Sequence, residues 1–167
     1  FFKHTPSEIV NISKEAFECQ TFTYQLNIEG GLVIHIFRRI PLNLGYLLGK
    51  LSYLDVASMD IFTLFDGIKY FKIEFLQRPL EGTMEQIEII VEEAFDMTKK
   101  LNLPKPVIKP NEITLDCEHS IHYAQLNLNT TNQRGLLAYF VQCFDEAQIN
   151  IATAKIHTNK NMARDHF

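Results

Sequence analysis

Between residues 129 and 144 the chain reads Asn-Thr-Thr-Asn-Gln-Arg-Gly-Leu-Leu-Ala-Tyr-Phe-Val-Gln-Cys-Phe. A polar cluster ending in glycine thus separates an alternating run from an amphipathic one. The start of a helix carries unpaired backbone N–H groups and the positive end of the helix dipole, which suit a carboxylate. Glycine lets a ligand approach the backbone, so Asn132, Gln133, Arg134, Gly135 and Leu136 form a candidate ligand turn. In it Asn132 can cap the helix and contact the ligand, and Arg134 can pair with a carboxylate. The plainer alternative is an ordinary helix-start turn followed by core.

Other reactive residues are worse placed. Cys117, His119 and His122 have a metal-like look, but ligands on either side of a strand start rarely converge, and a free thiol with surface histidines accounts for them. Cys143 lies within an apolar helical run with no evident base beside it. The aromatic run Tyr70-Phe71-Lys72-Ile73-Glu74-Phe75 resembles one strand of an RNA-recognition motif, yet the glycine-aromatic pattern is missing.

The formal charge of −4 over 167 residues gives no basic footprint for nucleic acid or an anionic membrane surface. Three scattered cysteines without framework spacing suit a reducing cytosol, so a cytoplasmic location is expected. No membrane span and no secretion signal is legible. The first residue is Phe1 rather than Met, and a piece of a longer protein is expected.

The elements that must position the turn can be read from caps and periodicity. Thr5-Pro6-Ser7-Glu8 announces a helix to about Phe17, with Phe1 and Phe2 as the end of a preceding core. Phe22–Ile28 and Leu32–Phe37 read as strands around Gly30-Gly31. Leu44, Leu47, Leu48, Leu51 and Leu54 make a helical stripe whose first turn carries Pro41 and which Gly45 and Gly49 weaken or let pack closely. Val56–Leu64 and Ile68–Phe75 form a hairpin about Asp66-Gly67. Thr83 and Gln86 suggest a capping box for a helix through Phe95, with Lys99-Lys100 at its negative end. Pro104, Pro106 and Pro110 mark an extended connector, and Glu112–Glu118 reads as a strand.

From Leu32 to Glu118 this order is βαββαβ, the ferredoxin-like sandwich of the α+β class. The pattern then restarts, with a strand over Tyr123–Leu128, a helical stripe at Leu137, Phe140, Val141 and Phe144, a β-rich Ile149–Ile156 and a further strand from Met162. Placing Ile61 on Ile156 sets Ile40 against Gly135 without a gap. The second copy is expected to be truncated, lacking its last helix and strand.

At Asn132-Gln-Arg-Gly-Leu-Leu137, followed by a helix and Gln148-Ile-Asn-Ile151, the sequence resembles an ACT domain, an amino-acid-sensing module whose usual turn is Asp-Arg-Pro-Gly-Leu-Leu. The whole arrangement is similar to the carboxyl-terminal tandem ACT region of the bacterial PII-protein uridylyltransferase/uridylyl-removing enzyme family. On that resemblance residues 1–20 end a preceding helical HD-like domain, 21–118 form a first ACT-like domain and 119–167 a second, incomplete one.

The resemblance implies glutamine sensing that controls distant catalytic domains, and it adds Asn150 and Ile151 to the ligand site, where the ligand bridges two ACT units. The implied partners are an amino acid, the PII signalling protein through the parent enzyme, and another ACT unit. No cofactor is implied for these residues; magnesium and another divalent metal belong to the parent's catalytic parts. Neither a Gly-Ser nucleotidyltransferase signature nor an HD doublet is visible, since Asp165-His166 is in reverse order, and no catalytic site is expected. Asn132 replaces the family's Asp and Arg134 its Pro, a reversal of charge at the turn. The first-unit counterpart, Phe37–Ile40, has neither acid nor glycine, so that site is read as lost or structural. The alternative is an ACT-type interaction or dimerisation module without a small-molecule ligand.

Overall fold

In the computed structural model, residues 4–118, 120–159 and 161–167 are described. Phe1 and Phe2 lie outside them. The chain folds as a mixed α+β protein in which, among the described residues, four helices accompany one eight-stranded sheet whose neighbouring strands are all antiparallel.

Helix α1 (Pro6–Glu18) starts where expected. The Thr5 hydroxyl accepts from Glu8 N–H, and the Glu8 carboxylate accepts from Thr5 N–H, closing the capping box. The strands β1 (Phe22–Asn27) and β2 (Val33–Arg38) then form a hairpin. Asn43 caps helix α2 (Leu44–Lys50) through its side-chain oxygen. Pro41 therefore precedes this helix instead of sitting in its first turn. The hairpin of β3 (Val56–Thr63) and β4 (Lys69–Phe75) turns through Asp66 and Gly67, both with positive φ.

Helix α3 (Met84–Glu93) begins at Thr83, but no capping box forms there. The Thr83 hydroxyl instead donates to Leu80 O at 2.7 Å. Beyond the helix, Lys99 pairs with Glu93 at 3.0 Å, while its carbonyl accepts from Asn43. The remaining elements are β5 (Ile113–Asp116), β6 (Gln125–Thr131), α4 (Leu136–Glu146), β7 (Ala154–Asn159) and β8 (Met162–His166).

Across the sheet the order is β1-β2-β4-β3-β7-β8-β6-β5. Each half is therefore two strands, a helix and two strands, and this corrects one expectation. The strand read at 112–118 does not close the first half, because β5 pairs with β6 at the far edge. The place beside β2 is already taken by β1, whose short hairpin makes pairing entropically cheap, while the proline-rich connector carries the chain across. The second half consequently has four strands. Among the described residues it shows no counterpart of α3.

At the centre β3 meets β7 with Met59 opposite Ile156, Asp60 opposite Lys155 and Ile61 opposite Ala154. From Asp60 to Lys155 is 95 positions, the same displacement as from Ile61 to Ile156. An approximate two-fold axis that carries one half onto the other would exchange the Met59 and Ile61 pairs and pass between Asp60 and Lys155. Nearer the turns the spacing slips. Asn43 and Gly135 both stand at helix starts, so the first-half counterpart of the candidate turn is Ile40–Asn43 and not Phe37–Ile40, of which Phe37 and Arg38 belong to β2.

On one face α2 and α4 lie antiparallel over the junction. A Cβ on Gly45 would stand 3.2 Å from the backbone of Gln142, so this glycine allows the close approach, while one on Gly49 would meet the side chain of Leu101 at 2.6 Å. The core beneath is continuous across the seam, with Leu47, Leu48, Met59 and Ile61 of the first half against Ala138, Val141 and Ile156 of the second. On the opposite face α1 seals Phe37, Ile68 and Tyr70 beneath Ile12, Ala16 and Cys19.

Because the γ-methyls of valine at position 45 would press on the Gln142 backbone, Gly45→Val should lower stability by about 2 kcal/mol. Urea unfolding followed by circular dichroism measures this, with an unchanged midpoint as the contrary outcome.

Candidate functional site

The candidate turn lies at the end of β6, where Asn132 N–H donates to Asn161 O at 2.8 Å. Asn132 is not the helix cap. That position belongs to Gly135, in the left-handed region at φ 78°, and no side chain caps α4. Leu136 N–H finds Gln133 O and Tyr139 N–H finds Gly135 O, whereas the N–H groups of Leu137 and Ala138 have no acceptor among the described residues. These amides and the dipole of an eleven-residue helix are presented to whatever enters.

The side chains of the turn divide by role. Gln133 is committed to the connector, its Oε1 accepting from Val107 N–H and its Nε2 donating to Val107 O, both at 2.9 Å. Leu136 is buried against Leu128 and Ala163. Arg134 is exposed. The turn lines a cleft of about 50 Å³ whose opposite wall, Leu48, Ser52 and Asp55, comes from the first half.

In the floor of that cleft is a residue that the sequence reading passed over as a binding group. Asp165 on β8 is 2% exposed, and its Oδ1 has no hydrogen-bond partner among the described residues. Burial pushes its carboxyl up to about 7, against a smaller opposing pull from the His157 backbone. A signal existed: in Met162-Ala-Arg-Asp-His-Phe167 strand alternation sets Asp165 on the same face as Ala163 and Phe167, an acid among inward positions. Its neighbour His166 points to the other face and meets Asn127 Oδ1 at 2.6 Å.

Asn150 and Ile151 do not join the turn. They line a second pocket of about 180 Å³ with Arg38, Phe71, Val141 and Asp145, at the other end of the seam. The physical reason is length: eleven helical residues advance roughly 16 Å, so the strand that follows α4 starts at the opposite end from the turn that precedes it. The two clefts are related by the approximate two-fold axis, Asp55 in one matching Asn150 in the other.

The lesser candidates resolve differently. Cys117 is exposed and His119 lies outside the described residues; among the described residues no group of three His, Cys, Asp or Glu side chains could hold a metal ion. Cys143 is half-buried on α4. The aromatic strand β4 is covered on both faces. Tyr70 stacks on Phe37 at 4.7 Å beneath α1, and its hydroxyl meets His35 Nδ1 at 2.8 Å, while Phe71 and Phe75 lie in the central core. No aromatic face is left there for a base. Among the described residues no helix is long and apolar enough to cross a membrane.

No protein-family model, curated protein or solved structure matches this chain.

Folded Asp165 keeps its proton up to about pH 7, whereas in an unfolded chain an aspartate loses it near 4. Between those values the folded state binds the extra proton, so raising the pH through this window lowers stability, on the order of a few kcal/mol in all. The melting temperature of the wild-type chain should fall relative to that of Asp165→Asn between about pH 4 and 7 and run parallel above it. Parallel curves throughout would show that the carboxyl titrates normally.

Proposed function

We propose that this chain is an amino-acid-sensing regulatory region made of two ACT-type, ferredoxin-like units, the first running from β1 through α3 and the second from β5 through β8. In each, the unit's own first strand, β1 or β5, takes the edge place that a last strand would otherwise fill. The resemblance of its turn points to a bifunctional enzyme that adds uridylyl groups to the PII signalling protein and removes them, with glutamine as the signal.

The observation that carries this proposal is the cleft at the start of α4, whose lining brings together open helix-start amides and a buried carboxyl with one oxygen unpartnered among the described residues. An α-amino acid offers the complementary pair: its carboxylate to the Leu137 and Ala138 N–H groups and its ammonium to Asp165. In this reading the two charged heads enter the cleft and the ligand's side chain stays outside it, near Arg134 and Ser52 of the lining. A ligand seated there touches both halves, so it favours one arrangement of the seam, by no more than its difference in affinity for the two arrangements.

Titration calorimetry at about pH 6.5 should give saturable heat with glutamine and none with N-acetylglutamine, whose amine cannot carry charge. Asp165 should lose its proton on binding, so the heat should vary with the ionisation enthalpy of the buffer. Asp165→Asn should weaken binding about tenfold or more. If no amino acid gives heat and the chain associates with rising concentration in sedimentation, the interaction-module alternative replaces sensing.

A further inference from the structure

The second seam pocket is the roomier of the two, about 180 Å³, and its chemistry is the inverse of its counterpart's. The ladders show this position by position. Arg38 pairs across β2 and β4 with Lys69, and the matching pair across β6 and β8 is Thr130 with Ala163. Phe71 stands between Ile36 and Ile61, and in the same place Asp165 stands between Leu128 and Ile156. On its strand floor one cleft has a buried acid, Asp165; the other has Arg38 and the Phe71 ring there, with Lys69 beside them outside the lining.

The Arg38 guanidinium lies 5.4 Å over the Phe71 ring and donates from Nη1 to Ile40 O at 2.9 Å, yet its Nε is buried without a partner among the described residues. An unpaired buried donor on a cation is expensive unless something accepts from it. Lys69 stands alongside, its ammonium donating to the carbonyls of Ile151 and Ala152 at 3.3 and 3.4 Å, and burial together with Arg38 pulls its pKa down. Asp145 is the acid lining the pocket. It makes no close ion pair with Arg38 among the described residues, though the two charges favour one another at longer range, and burial outweighs that attraction and raises its pKa. The rest of the wall is apolar, chiefly Ile61, Phe71, Val141 and Ile151.

We propose that this pocket binds a small monocarboxylate with a short apolar body and no ammonium group, its carboxylate accepting from Arg38. The guanidinium edge supplies parallel donors for a planar carboxylate, and the aliphatic and aromatic wall takes the hydrocarbon part. Against the single acid Asp145 stand Arg38 in the wall and Lys69 behind it, so the net charge favours a plain anion over the zwitterion for which the other cleft is suited. The two ends of one seam thus take different ligands. This second site uses its own residues and does not depend on amino-acid binding at the first.

The probe is 3-methylbutanoate, with 3-methylbutanamide as its neutral partner of the same shape, titrated into the ¹⁵N-labelled chain and followed by amide shifts. The acid should bind saturably, moving the amides of Arg38, Gln148 and Ile149, and the amide should bind about tenfold more weakly or not at all. Arg38→Gln should lose that preference, and Arg164→Gln, on the outer face of β8, should keep it. Asn150→Trp, which fills the rim without touching the guanidinium, should block the site and decides the matter if Arg38→Gln does not fold. Equal binding of acid and amide, absence of saturation, or unaltered affinity in Asn150→Trp would overturn the proposal.

Discussion

The structure depends on the junction at which β3 and β7 share a ladder beneath the antiparallel α2 and α4. Either half alone would expose a bare strand edge together with one side of an apolar core, and neither is tolerable in water. Joined, they complete one sheet and one core. That junction also creates both clefts, since each is walled by the start of one half's central helix and the strand start of the other.

Asp165 shows how the junction relates stability to chemistry. The ladder place it occupies is held by Phe71 in the first half, where an aromatic ring packs without penalty. Exchanging ring for carboxyl removes hydrophobic burial and leaves an oxygen unsatisfied, both unfavourable to folding. Such a residue has no structural reason to be there, which is why its surroundings, a helix start without a cap, are read as chemistry. Arg38 presents the opposite case in the first half, a buried donor in place of a buried acceptor.

Much of the architecture was legible because local signals and global fold agree. The Thr5–Glu8 cap, the Gly30-Gly31 and Asp66-Gly67 turns and the leucine stripe of α2 each state one element, and the displacement of the Ile61–Ile156 match, read only as a repeat, is also that of the central Asp60–Lys155 pair. Strand partnership was less legible. A four-residue strand such as β5 carries the same alternation whether it pairs with β2 or with β6, and only competition with the β1 hairpin decides. The candidate site was half legible for a related reason. Turn chemistry at Asn132–Gly135 is local, but nothing in sequence spacing says that Asn150 lies a helix length away or that Asp165, distant along the chain, lies beneath the turn.

Asp60 and Lys155 face one another beside the approximate axis. Had the molecule been assembled from two copies of the same half, that place would bring aspartate against aspartate, or lysine against lysine, and like charges directly across a ladder repel. Carrying both halves on one chain allows the two positions to differ in sign. The central edge of each half is thereby marked for the other and against its own kind, which discourages like halves of two molecules from pairing edge to edge.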